Sequence, residues 1–170
     1  MNSLLQRFSI FCLTAFAAIA LFIFPPSAEA ASSAAVRSFD DVKVAGTDFA
    51  GQDLHEAEFA NETLQGANFS EANLSFAVFN ATDLREANWH GVNFANGMAY
   101  LSNFNGADLT DGIFTDALFL QSVFDKNTNI TDADFTNASI DRFQVSKLCD
   151  IASGQNSQTG ASTRESLGCK

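Results

Sequence analysis

The chain has 170 residues, with nine Lys or Arg against twenty Asp or Glu and a formal net charge of −11. That length suits one domain, and the acidic balance argues against nucleic acid or an anionic membrane as a direct partner, because both would repel it. Eighteen Phe stand against one Tyr and one Trp, a bias that fits repeated use of a flat apolar plug with no polar atom to satisfy.

Met1 to Arg7 carries one positive charge, Phe8 to Phe24 is apolar apart from Ser9 and Thr14, and Pro25-Pro26 ends the run. Ala28-Glu29-Ala30 follows with the small-x-small pattern of a signal-peptidase site, so residues 1–30 read as a leader cleaved after Ala30. Cys12 leaves with it, and no stable membrane insertion is expected of the mature chain. Arg7 and Glu29 cancel, so residues 31–170 carry the whole charge of −11.

From Phe39 the chain repeats every five residues: a small residue, a polar one, then a large apolar one. The large positions, called i, run Phe39, Val44, Phe49, Leu54, Phe59, Leu64, Phe69, Leu74, Phe79, Leu84, Trp89, Phe94, Ala99, Phe104, Leu109, Phe114, Phe119 and Phe124. After a six-residue step they resume at Ile130, Phe135 and Ile140. On a helix such a period smears the large residues around the cylinder, and on a plain strand they alternate faces. A core forms only if the backbone turns about a quarter circle per unit, so that every large residue points to one axis. Residues 31–140 therefore read as a solenoid of about five coils.

Four units per coil define four faces. Face one stacks Phe39, Phe59, Phe79, Ala99 and Phe119; face two Val44, Leu64, Leu84, Phe104 and Phe124. Face three stacks Phe49, Phe69, Trp89, Leu109 and Ile130; face four Leu54, Leu74, Phe94, Phe114 and Phe135. Position i−2 is mostly Ala or Gly and reads as the second inward position. Gly46, Gly51, Gly66, Gly91 and Gly106 stand two residues after i, where a tight corner demands positive φ. Trp89 is expected to fill the space left by Ala99. The extra residue within Asp125–Asn129 should be extruded at a corner as a bulge.

Residues 141–170 read as a two-helix cap. Val145, Leu148, Cys149 and Ala152 form an apolar stripe ended by Gly154, Gly154 to Gly160 reads as a polar linker, and Ser162-Thr163-Arg164-Glu165 is a capping box. Cys149 and Cys169 are an even pair in an exported chain, and one disulfide is expected. Ala31 to Ser38 caps poorly, so the N-terminal coil is the expected open edge.

With these residues in view, the stretch from Val36 to Ile140 resembles the pentapeptide-repeat family, whose pattern is A-[DN]-[LF]-x-x. The resemblance implies an all-β solenoid, a right-handed quadrilateral β-helix whose coils stack at the ~4.8 Å strand spacing. The ending Thr163 to Cys169 is similar to that of exported cyanobacterial and chloroplast lumenal members, which implies a disulfide-linked helical cap and a thylakoid-lumen or periplasmic address.

No catalytic set can be assembled. His55 and His90 fall at i+1 on different faces, the glycines sit at five-residue corners instead of a phosphate loop, and no Ser, His and acid converge. No enzyme, cofactor or metal is expected. The polar i−1 ladders, Asp48, Asn68, Asn88, Asp108 and Asn129 on face three and Asp53, Asn73, Asn93 and Asp134 on face four, read as stacked hydrogen-bonding side chains, with a weak Ca²⁺ site as the sharper alternative. Asn-x-Ser/Thr triplets such as those at Asn61 and Asn80 read as products of the repeat. The outside of face one differs: Val78, Met98, Tyr100, Leu118 and Leu120, flanked by Phe76 and Leu101, form a candidate partner patch. The core ladder is expected from Phe59, Phe69, Phe79, Trp89, Phe94, Phe104, Phe114 and Phe124. The resulting expectation is an exported, non-catalytic module, monomeric, that binds a protein partner not identified by the sequence. The family resemblance adds the alternative of an acidic DNA mimic that inhibits a DNA-binding enzyme.

Overall fold

The computed structural model describes the backbone of residues 38–40 and residues 46–170. The leader, its cleavage site, Cys12, the Val44 unit and the N-terminal edge at residues 31–37 lie outside the described residues.

Six short parallel strands pair in chain order: β1 (Ser38–Asp40), β2 (Glu58–Ala60), β3 (Val78–Asn80), β4 (Met98–Tyr100), β5 (Leu118–Leu120) and β6 (Ser139–Ile140). Their register places Phe39, Phe59, Phe79, Ala99, Phe119 and Ile140 in one column, so these strands are face one. The other three faces hold single parallel bridges at i−1, twenty residues apart, or twenty-one where the six-residue step intervenes, as at Asp108–Asn129 and Ile113–Asp134. Face three pairs Asp48, Asn68, Asn88, Asp108 and Asn129; face four pairs Asp53, Asn73, Asn93, Ile113 and Asp134. A twenty-residue coil of four units is thus what the period of five dictates.

The corners turn at i+2, and outside the six-residue step that residue is left-handed whichever side chain it carries. The five corner glycines have φ of 64° to 71°, and Glu56, Glu71, Asn96, Asp116 and others adopt φ near 60° at equivalent positions. At most corners the N–H of i+3 donates to the carbonyl of i, as Ala72 does to Phe69 and Ala67 to Leu64, both at 3.0 Å. After Phe79 and Ala99 on face one, no such bond to Thr82 or Ser102 closes the corner. There the small inward residue is a hydroxyl instead of Ala. Thr82 Oγ1 donates to Phe59 O at 3.3 Å, Ser102 Oγ to Phe79 O at 3.3 Å and Ser122 Oγ to Ala99 O at 2.9 Å, while Ser122 Oγ accepts the Ser102 N–H at 3.2 Å. These side chains are buried and add hydrogen bonds to the backbone at the corners of face one.

The core is a stack of rings. Phe59 lies on Phe79 at 4.5 Å, Phe49 on Phe69 at 4.8 Å and Phe114 on Phe135 at 5.0 Å, with edge-on contacts between columns such as Phe59–Phe69 at 5.9 Å. Phe69, Phe94, Phe104 and Phe124 are buried with them. The space at Ala99 is shared: Trp89 leans on Phe79 at 5.1 Å, and the Phe94 ring reaches both Phe79 (5.9 Å) and Phe119 (5.8 Å), the rings on either side of Ala99. Trp89 Nε1 has no hydrogen-bond partner among the described residues and is enclosed by aromatic rings.

The six-residue step is absorbed at the corner between faces two and three. Asp125 Oδ1 accepts the N–H groups of Gly106 at 3.0 Å, Asn127 at 3.0 Å and Thr128 at 3.1 Å. In the coils before it, that corner N–H goes to a backbone carbonyl, as Gly66 N–H does to Arg85 O. Burial raises the Asp125 pKa, but these N–H donors and the Thr128 and Asn127 side chains outweigh it and hold the carboxyl below its ordinary value.

Helix α1 (Arg142–Ile151) and the single turn α2 (Thr163–Ser166) follow. The first ends at Ile151, with Ala152 already extended, three residues before the expected stop at Gly154. Gln144 is also buried beside Leu148, because its Oε1 accepts the Phe124 N–H at 3.3 Å. Ser166 Oγ accepts the Phe135 N–H at 3.0 Å, and Ser153 O accepts that of Asp132 at 2.9 Å. The tail therefore supplies acceptors to the last coil. The expected linker is no free linker: buried Asn156 donates from Nδ2 to the carbonyls of Asp111, Gly112 and Asp132, which fixes it to the corner between faces three and four. Cys149 and Cys169 are bonded, with Cα atoms 5.6 Å apart.

Candidate functional site

On face one the inward alternation of each strand leaves i−1 and i+1 pointing outward. Val78, Met98 and Leu118 are in register as one column, and Tyr100 and Leu120 as a second. Met98, Tyr100 and Leu120 are exposed, whereas Val78 and Leu118 are half-buried. Phe76 and Leu101 stand at the flanking corners, 52% and 50% exposed.

These two corners are unusual. Phe76 has φ 60° and Leu101 φ 53°, positions otherwise held mainly by Gly, Asn, Asp, Glu or Gln. A large apolar residue is disfavoured in that conformation by roughly 1–2 kcal/mol and gains little from burial here. The Phe76 ring meets the edge of His55, with centroids 5.5 Å apart, and His55 Nδ1 pairs with Ser75 Oγ at 2.9 Å. Phe143, exposed in the first turn of α1 with Lys147 Nζ 4.7 Å above its ring, is a further apolar surface residue. The five-residue series did not reveal it because it lies past the last unit.

Side chains on faces three and four bond across coils. Asn68 Nδ2 donates to Asp48 Oδ1 at 2.9 Å, Asn88 Nδ2 to Asn68 Oδ1 at 3.1 Å and Asn73 Nδ2 to Asp53 Oδ1 at 2.9 Å, while the Asn68 and Asn88 oxygens also accept the N–H two residues on. Arg85 holds Asp83 in a two-point pair at 2.6 and 2.8 Å, and that hydrogen bond lowers the Asp83 pKa. His90 pairs with Thr110 Oγ1 at 2.8 Å and lies 3.8 Å from a Glu71 carboxylate oxygen. Asp111 accepts both the backbone and the hydroxyl of Ser157; burial works against ionisation there, and these bonds together with nearby His90 keep its pKa lowered.

Among the described residues, no group of three or more His, Cys, Asp and Glu gathers as metal ligands would, and no helix is long and apolar enough to cross a membrane. A cleft lined by Thr136, Asn137, Ala161, Ser162, Glu165 and Ser166 joins hydroxyls to one carboxylate without a histidine, cysteine or lysine.

The family model for pentapeptide repeats matches residues 63–96 and 102–142 in eight copies. The chain is 34% identical to a pentapeptide repeat protein of the Arabidopsis thaliana thylakoid lumen, whose crystal structure superposes with a TM-score of 0.73 over 75% of this chain and 88% of that one. HetL, a pentapeptide repeat protein involved in heterocyst differentiation regulation in the cyanobacterium Nostoc, shares the fold at 19% identity and a TM-score of 0.50, over 61% of this chain and 41% of its own. No curated protein matches the chain. The five-residue period, the four-faced coil and the lumenal relative together establish that the chain belongs to the pentapeptide-repeat family, with its right-handed quadrilateral β-helix.

Proposed function

We propose that this protein is an exported, non-catalytic binding module that docks a protein partner on face one. The observation that carries the reading is the pair of exposed apolar corners, Phe76 and Leu101, bordering the exposed strand residues Met98, Tyr100 and Leu120. Folding gains little from apolar side chains at left-handed, solvent-facing positions, and contiguous exposed apolar surface marks interaction sites. Export is supported by the leader pattern of residues 1–30 and by similarity to a lumenal protein. The boundaries proposed are a leader at 1–30, coils at 31–140 and a disulfide-bonded cap at 141–170. The mature protein is proposed to be a monomer.

Two measurements test this. Amino-terminal sequencing after expression in an exporting host should begin at Ala31; a first residue at Met1 contradicts export. Co-purification with the unmodified protein and with Tyr100→Glu/Leu118→Glu should differ by one specific partner, both proteins retaining their circular dichroism. Identical partners for both contradict docking on face one.

A further inference from the structure

Around the apolar columns, the charged frame has one sign. From residue 55 to Gln121, the exposed carboxylates on face one and its two corners are Glu56, Glu58 and Asp116, and no Lys or Arg stands among them; beyond them Asp141 is followed at once by exposed Arg142. The described basic side chains lie elsewhere: Arg85 on face two, already paired to Asp83, Lys126 at the bulge, and Arg142, Lys147, Arg164 and Lys170 in the tail. A second copy of the chain would bring the same acidic frame against itself, on a body of net charge −11. An anionic lipid surface meets the same repulsion.

We propose that the occupant of face one is a basic amphipathic protein segment, with an apolar strip seated on Met98, Tyr100 and Leu120 between Phe76 and Leu101, and Lys or Arg on its borders facing Glu56, Glu58 and Asp116. This rests on the reading of face one as the docking surface and adds the chemistry of the partner. The three central strands, β3 to β5, span about 10 Å between their outer axes. Side chains at both ends widen that footprint, which suits two or three turns of helix at 5.4 Å each. Apolar contact supplies affinity, while the acidic frame sets orientation and rejects acidic competitors.

The test uses two fluorescent amphipathic helical peptides of about 18 residues, or about five turns. They carry the same Leu stripe, bordered by Lys in one and by Glu in the other. Binding to the protein purified from an exporting host is read by anisotropy at about 0.15 M salt. The Lys peptide should bind at least tenfold more tightly than the Glu peptide. Tyr100→Glu/Leu118→Glu should weaken the Lys peptide at least tenfold, although the variant is more acidic; attraction by net charge alone predicts the opposite. Glu58→Lys/Asp116→Lys, which leaves the apolar columns intact, should weaken the Lys peptide at least fivefold and strengthen the Glu peptide.

Equal binding of the Lys peptide to the protein and to Tyr100→Glu/Leu118→Glu overturns the inference. Equal binding of both peptides, lost in Tyr100→Glu/Leu118→Glu, overturns the basic partner and leaves docking on face one standing. Failure of both peptides to bind also overturns it, and co-purification then decides the docking reading separately.

Discussion

Faces one and three share an inward pattern and differ outside. Both bury their large residue against the axis, Phe59 and Phe79 on one, Phe69 and Trp89 on the other. Face three joins its coils by single bridges and adds a ladder of side chains, Asn88 to Asn68 to Asp48. Face one pairs strands of three residues in register and therefore has a continuous backbone ladder. Its outward positions are free of the ladder duty, and they carry Val78, Met98, Tyr100, Leu118 and Leu120. Inward residues specify the coil, while outward residues are available to specify a partner.

The largest effect should come from the shared inward pattern. Phe69→Ala removes a fully buried ring stacked on Phe49 and edge-on to Phe59 and Phe79, and should cost about 3–5 kcal/mol in chemical denaturation. A melt matching the unmodified protein would break the inward assignment. Reducing Cys149–Cys169, twenty residues apart, should cost about 3 kcal/mol on the loop-entropy model and raise hydrogen exchange in α1 and α2 before the coils. Simultaneous exchange in the coils would show that the tail and the rod unfold as one.

Smaller effects separate the two faces. Ser122→Ala removes the acceptor of the buried Ser102 N–H at the open corner of face one, and should cost about 1–3 kcal/mol. A neutral result would mean that the corner finds another partner. Leu101→Asn places a residue that tolerates φ 53° and should raise stability by up to about 1 kcal/mol. A loss instead would show that Leu101 serves the fold.

The smallest effect is a pH slope. Because the folded Asp125 pKa is lowered, its contribution is present above the ordinary carboxylate value of about 3.9 and is lost as pH falls through the folded value below that. Asp125→Asn should flatten the stability profile in that acid window, measured by denaturation at stepped pH. An unchanged slope would place the acid sensitivity elsewhere.

The coil was legible because the apolar period of five admits few backbones that bury Phe69, Leu74, Phe79 and Leu84 together. The faces and their registers followed from counting by twenty, and so did the Asn and Asp ladders. The open corner after face one was not legible. The roles of Thr82, Ser102 and Ser122 follow only from the hydrogen bonds at those corners, which the five-residue pattern does not encode. The Asn156 anchor was hidden for a related reason, since a polar run looks solvated until the carbonyls of a distant corner are known. The exposed patch was legible as a pattern, because apolar residues at outward positions violate the repeat. Its half-buried members, Val78 and Leu118, required the structure.

The division of labour between inside and outside is tested most directly by placing a photoreactive amino acid at Tyr100 on face one or at Thr110, the outward position after Leu109 on face three. Both sites are in the same part of the rod and leave the core untouched. A single specific cross-linked protein from Tyr100, with none from Thr110, is the predicted result. Equal cross-linking from Thr110, or none from Tyr100 in the native host compartment, would contradict a partner on face one.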